Sequence, residues 1–155
     1  YAVKTVNGIE ADNQGNVTSD GTLIELGTID YTQYNAGTTP GEYLPLSTNP
    51  IPANHTIEDI IIVVNESFEG TSGVLPAMQD MFSSAWITPE GTGKIQFTRF
   101  FQQFLDNSNN AVNQIFTGAT NLGFLVCFND TSYTNPQDYT AGSWTFYAIV
   151  KPFPV

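Results

Sequence analysis

His55 is the only histidine in a chain of 155 residues, so any Ser-His-Asp or Cys-His arrangement has to use it. It stands in Pro52-Ala-Asn-His-Thr56, a loop-like context with no nucleophile motif of the GxSxG kind beside it. Cys127 is also the only residue of its type. One cysteine closes no internal disulfide, and without a CxxC or a Cys/His cluster there is no zinc pattern. Within Leu122-Gly-Phe-Leu-Val-Cys-Phe128 it reads as a small buried hydrophobe. Carboxylates are densest at Glu58, Asp59, Glu66 and Glu69. Glycoside hydrolysis needs two that converge on one bond, whereas adjacent residues of an extended segment, such as Glu58 and Asp59, point to opposite faces. Asp12-Asn13-Gln14-Gly15-Asn16 lacks the alternating acidic positions and the terminal Glu of a calcium loop, and reads as a turn. The Asn-x-Ser/Thr sequons at Asn16, Asn54, Asn65 and Asn129 are what so Asn- and Thr-rich a chain contains by chance.

One segment has the composition of a sugar-binding loop. Residues 129–139, Asn-Asp-Thr-Ser-Tyr-Thr-Asn-Pro-Gln-Asp-Tyr, lie between two strong strand candidates and carry Asp130, Tyr133, Asp138 and Tyr139. A flat ring stacks on the apolar face of a pyranose, while carboxylates and amides take its hydroxyls. Loops held by a rigid scaffold are where binding residues concentrate. Trp86, in Ser-Ala-Trp-Ile-Thr-Pro-Glu90, is a further aromatic that core packing does not claim outright. The ligand-binding candidates are therefore Asp130, Tyr133, Asp138, Tyr139 and Trp86, with no catalytic set and no metal set.

The elements that must position them read as strands. Residues 22–29 are rich in β-branched and aliphatic side chains. Residues 57–64, Ile-Glu-Asp-Ile-Ile-Ile-Val-Val, form a nearly continuous apolar run, which predicts a strand buried on both faces. Residues 94–101 alternate, with Ile95 and Phe97 on one face and Gln96 and Thr98 on the other. Residues 122–128 read as another buried strand. Residues 142–151 read as a long one with Trp144, Phe146, Ala148 and Val150 on its core side. Pro40, Pro45, Pro50 and Pro52 make 31–52 irregular and exclude a central strand there. Short helices are predicted at 76–83, where Pro76 precedes Met78, Met81 and Phe82, and more weakly at 110–117. Strands separated by Gly, Asn and Pro turns predict an all-β domain, an antiparallel β-sandwich or small barrel.

Bulk properties narrow the partners. Apolar residues make up 41% of the chain, enough for a core, and charged residues only 12%, about half the usual share. The net charge is -11, from 15 acidic and 4 basic residues. Lys4, Lys94, Arg99 and Lys151 form no basic footprint, which excludes nucleic acid and disfavours anionic lipid surfaces. No apolar run approaches the roughly 20 residues of a spanning helix, no signal peptide is visible, and no cofactor is implied. A chain that begins at Tyr1 instead of Met reads as cut from a longer one.

The first seventeen residues contain two turn signals before any segment long enough to build a core. Val6-Asn7-Gly8, Asp12 and Gly15-Asn16-Val17 resemble a short motif of tail fibres and receptor-binding proteins of tailed bacteriophages, approximately S/K-V-N-G-x-x-P/A-D-x-x-G-N-V. Ala11 stands where Pro is frequent. The resemblance covers residues 3–17. It implies that residues 1–20 are a shaft or collar in which three chains wind together, and that 21–155 are a globular β receptor-binding tip. Val3, Val6, Ile9 and Val17 would then pool their apolar contacts around the trimer axis. It further implies a homotrimer on the virion that attaches to a bacterial surface polysaccharide, capsule or lipopolysaccharide. The alternatives are a fibre-borne polysaccharide depolymerase and a structural trimerisation cap without a ligand.

Overall fold

The computed structural model describes residues 5–6, 9–10, 21–36, 43–71, 73–79, 86–93, 95–98, 104–106, 115–125 and 138–153. In chain order these form β1 (Thr5–Val6), β2 (Ile9–Glu10), β3 (Thr22–Asp30), α1 (Tyr31–Asn35), β4 (Tyr43–Pro45) and β5 (His55–Gly70). There follow β6 (Met78–Gln79), β7 (Trp86–Ile87), β8 (Ile95–Thr98), β9 (Phe104–Asp106), β10 (Leu122–Leu125) and β11 (Tyr139–Pro152). The chain is mostly antiparallel β-sheet with almost no helix.

Two long strands form the centre. β5 has 16 residues and β11 has 14, and they pair antiparallel from Tyr139 opposite Gly70 to Pro152 opposite His55. β3 adds to the free side of β11 and β8 to the free side of β5, so the sheet order is β3-β11-β5-β8. Alternation along β11 sends Trp144, Phe146, Ala148 and Val150 inward, as their spacing predicts. β5 contributes Ile57, Ile60, Ile62, Val64 and Phe68, and β3 contributes Leu26 and Ile29.

Leu44, Leu46, Ile51, Phe116 and Leu122 belong to the same buried cluster. They come from, or lie beside, the smaller sheet β4-β10-β9 and its flanking segments. Residues 46–49 join the two sheets: the Leu46 amide donates to Leu122 O (2.9 Å) and the Thr48 amide to Leu26 O (2.9 Å). Asn49 Nδ2 also donates to Glu25 O (2.9 Å), so part of the exposed edge of β3 already has hydrogen-bond partners. An edge satisfied in this way is a poor template for further strand addition. β4, with Pro45, is an edge strand of its sheet, where a missing N–H does no harm.

Rings fill one end of the core. Phe68 meets Tyr34, Tyr139 and Trp144 edge-to-face at centroid distances of 5.1, 5.3 and 5.2 Å. Such pairs contribute about 0.5–1.5 kcal/mol each beyond the area they bury. Phe68 can sit there because Gly142, on the neighbouring strand, has no side chain. A Cβ on Gly142 would stand 2.8 Å from Phe68 Cα and closer still to its ring, and its φ of +135° is strained for any L side chain.

Several expectations from the sequence need correction. Residues 57–64 are not buried on both faces: Ile61 and Val63 stay partly exposed between buried neighbours. The sheet has one core face, and the aliphatic run extends over both. No helix forms at Met78–Gln79, which pairs with Trp86–Ile87 as β6 and β7. Residues 80–83 of that predicted helix and 110–114 of the other lie outside the described residues; at the end of the second, Phe116 bridges His55. One or two turns cannot repay helix nucleation when a strand partner is at hand. Conversely, α1 lies within the stretch read as irregular. Asp30 caps it, accepting from Thr32 N (2.9 Å) and Gln33 N (3.2 Å), while Gln33 Oε1 accepts from Asp30 N (2.9 Å). That reciprocal pair is a capping box written Asp-x-x-Gln. His55 is not in a loop but opens β5, with Nδ1 2.8 Å from Ala53 O.

Two outcomes are expected. Gly142→Ala should lose about 2–4 kcal/mol in urea unfolding, through overpacking and backbone strain. Gly73→Ala is the control: φ is +69° but the space is open, so only about 1–2 kcal/mol of backbone strain applies. Equal losses would rule out the Phe68 contact as the cause. Asp30→Ala should lose about 1 kcal/mol. The Thr32 hydroxyl holds the Asp30 carboxyl below its ordinary 3.8; burial, the next-largest effect, opposes it, and the Gln33 and Thr32 amides reinforce it. The cap is therefore fully stabilising above 3.8 and is lost as pH falls through the lowered value. The Asp30→Ala deficit should shrink in urea titrations run below that pH.

Candidate ligand-binding site

The five candidates fall in three places. Asp130 and Tyr133 lie outside the described residues. Trp86 lies in β7, its backbone opposite Gln79 in β6. Asp138 and Tyr139 stand together where β11 begins, beside the end of β5. Of the collar residues, Val3 and Val17 lie outside the described residues. Val6 and Ile9 are directly paired in the β1–β2 ladder, on either side of Asn7-Gly8. A two-residue separation of paired strands is the spacing of a tight hairpin.

Asp138 is partly exposed, and its carboxylate accepts a hydrogen bond from the Thr71 hydroxyl. That contact ties the end of the 129–138 segment to the residue after β5. Glu69 O accepts from Thr140 Oγ1 (3.4 Å) and Glu66 Oε2 from the Gly142 amide (3.3 Å). Asp138, Glu66 and Glu69 therefore line one end of the β5–β11 pair, each carboxylate or carbonyl engaged across the strands. Among the described residues, no three His, Cys, Asp or Glu side chains are grouped to hold a metal ion.

Tyr139 corrects the sequence reading. Its ring is 3% exposed and forms part of the core, edge-to-face with Phe68 and with Tyr34 (6.0 Å). It has no face to offer a sugar. Its hydroxyl donates to Val74 O (2.6 Å), its amide donates to Asn35 Oδ1 (3.1 Å), and its carbonyl accepts from Asn35 Nδ2 (2.6 Å). The Asn35 amide thus behaves as one more strand residue and fastens α1 to the start of β11. Burial, and secondarily the Asp138 charge, push the phenol well above its ordinary 10.0. The polar residues preceding Tyr139 made it look like a loop aromatic, but a tyrosine needs only one polar partner to sit inside.

Sequence reasoning missed a second polar group. Thr28 on β3 and Thr145 on β11 share a hydrogen bond of 2.8 Å. Asn65 Nδ2 on β5 donates to Thr145 Oγ1 (2.7 Å) and, at 3.3 Å, to Ser143 Oγ. The ladder crosses three strands on the face opposite the core. Its members lie 117 and 80 positions apart in the chain, so no local pattern could announce it.

Comparison with protein-family models, with curated proteins and with solved structures finds no match to this chain.

A raised phenol pKa has a sign that can be checked. The folded state favours neutral Tyr139, so this contribution to stability is complete below 10 and is lost as pH climbs above it. Tyr139→Phe should cost about 1 kcal/mol at neutral pH through the lost hydrogen bond, and should flatten the decline in urea stability above pH 10. An unchanged alkaline decline would place the responsible group elsewhere.

Proposed function

We propose that the chain is the C-terminal, homotrimeric tip of a tailed-bacteriophage tail fibre, which attaches the virion to a capsule or lipopolysaccharide polysaccharide on the bacterial surface. The observation that carries this reading is the opening motif, Val6-Asn7-Gly8 with Asp12 and Gly15-Asn16-Val17, whose first part is bracketed by the antiparallel pair β1–β2. In this reading, residues 1–20 are the collar, with Val3, Val6, Ile9 and Val17 meeting their copies. The two sheets close as a sandwich over their shared core in residues 21–155. The core cluster supports that arrangement by drawing residues from both sheets. The role is attachment without cleavage. Asp130, Tyr133 and Asp138, with Trp86, supply sugar contacts, and Tyr139 serves as the buried anchor of that segment. Three weak sites on one tip, and several tips on one virion, raise the avidity of a modest single-site affinity.

Purified chain, added in excess, should block adsorption of a phage carrying it, and light scattering should give the mass of three 16.9 kDa chains. Tyr133→Ala and Asp138→Ala should each weaken binding to host cells about tenfold, a change of about 1.4 kcal/mol, with the fold retained and, for Asp138→Ala, a modest fall in thermal midpoint from the lost Thr71 bond. A monomer that neither blocks adsorption nor binds cells would end this reading, and shortened capsule chains after incubation would convert it to an enzyme.

A further inference from the structure

The core-averse face of the four-stranded sheet is not the polar face that an antiparallel sheet with one solvated side ordinarily presents. Cross-strand register arranges it in rows. Thr145 lies between Thr28 and Val63, and Val63 faces Ile95. Tyr147 lies between Glu25 and Ile61. Ile149 lies between Leu23 and Asp59. Tyr147, Ile149, Ile61 and Val63 are all partly exposed, and Leu23 and Ile95 are each 56% exposed. Tyr147 is thus an aromatic ring in the middle of a sheet, on an aliphatic floor. The hydroxyl ladder of Thr28, Thr145 and Asn65 begins one row away, about 7 Å along the strand, and a carboxylate, Glu25, is in the adjoining strand.

We propose that this face, centred on Tyr147, is a binding platform for a neutral glycan. The inference rests on the glycan-attachment reading above and names a surface and ligand class for it. The ring and the aliphatic floor suit the C–H face of a sugar. Thr145 is buried, but Thr28 and Asn65 are exposed, and the Thr28 hydroxyl, with one donor and two acceptor positions, keeps capacity for an outside partner beyond its bond to Thr145. Charge selects the class. Glu25 lies on this face of a chain whose net charge is -11, and Glu58, at its margin, is paired to Lys151 at 2.7 Å. Uronate- or phosphate-bearing polymers are therefore repelled. A second copy of a chain at -11 also brings few basic groups to meet these carboxylates, whereas a neutral polyol brings hydroxyls that can donate to Glu25.

The test uses the full chain on an array of neutral oligosaccharides, with glucose, galactose, mannose and N-acetylhexosamine polymers, beside uronate and phosphorylated ones. Tyr147→Leu, which keeps apolar bulk but removes the ring, should weaken the best neutral glycan about tenfold. Tyr147→Phe should bind nearly as well as the parent, and Glu25→Gln and Asn65→Ala should each weaken binding severalfold. The thermal midpoint should not change in the Tyr147 and Glu25 variants and should fall modestly in Asn65→Ala, which loses its bonds to Thr145 and Ser143; light-scattering mass should not change in any of them. Undiminished neutral-glycan binding by Tyr147→Leu and Asn65→Ala overturns this platform and leaves the attachment reading intact. Binding confined to anionic glycans overturns the ligand class. A changed mass in Tyr147→Leu makes the face a contact between copies and overturns the proposal. No glycan bound by the parent chain, with adsorption still blocked, overturns the platform and moves attachment to another kind of receptor; loss of both removes the two together.

Discussion

Everything described in this chain hangs on one pairing, that of β5 with β11. The two strands are the longest in the molecule and occupy the centre of the larger sheet. They are separated in the chain by everything from residue 71 to residue 138. Each flanking strand uses one of them as its template, and α1 is fastened to the start of β11 through Asn35. The pairing is held in place at one end by Phe68 lying against Gly142 and meeting three other rings edge-to-face. A contact between distant segments pays its loop-closure entropy before neighbouring contacts form. Folding of such a topology is expected to be slow compared with that of a helical domain of similar size.

The second sheet depends on this centre for its position. Leu46 is hydrogen-bonded to β10 and Thr48 to β3, so a three-residue segment links the two sheets through backbone bonds while Leu46 itself is buried. That geometry explains how a proline-dense stretch can be structured without being a central strand. Its backbone groups are satisfied one at a time by partners on both sides instead of by a continuous ladder.

The two faces of the large sheet differ in kind. The inner face is mainly apolar and, along β5 and β11, buried from Ile57 to Val64 and from Trp144 to Val150. The outer face mixes a hydroxyl and amide ladder, a tyrosine, exposed aliphatics and carboxylates. An acidic chain with so few cations has little means of binding anionic partners through such a surface. Under the proposed attachment role, this acidity is a selectivity device: it leaves neutral polyols as the ligands that pay no electrostatic penalty.

From the sequence alone, the predominance of strands, the core side of 142–151 and the lack of a central strand in the proline-rich region could all be read. Alternation, β-branched content and proline chemistry are local properties that need no partner. The capping box at Asp30 and Gln33 was equally local and simply went unread among the prolines that follow it. Tertiary structure decided the rest. Which face of 57–64 meets the core depends on where β11 and its bulges set the register, and a slip of one residue exchanges the faces. Tyr139 looked like a loop aromatic because its neighbours are polar, yet its ring is buried by Tyr34 and Phe68, which arrive from far away in the chain. Thr28, Thr145 and Asn65 became one polar group only when three strands aligned, because a hydrogen bond between side chains is a property of their distance in space and leaves no periodicity in the sequence.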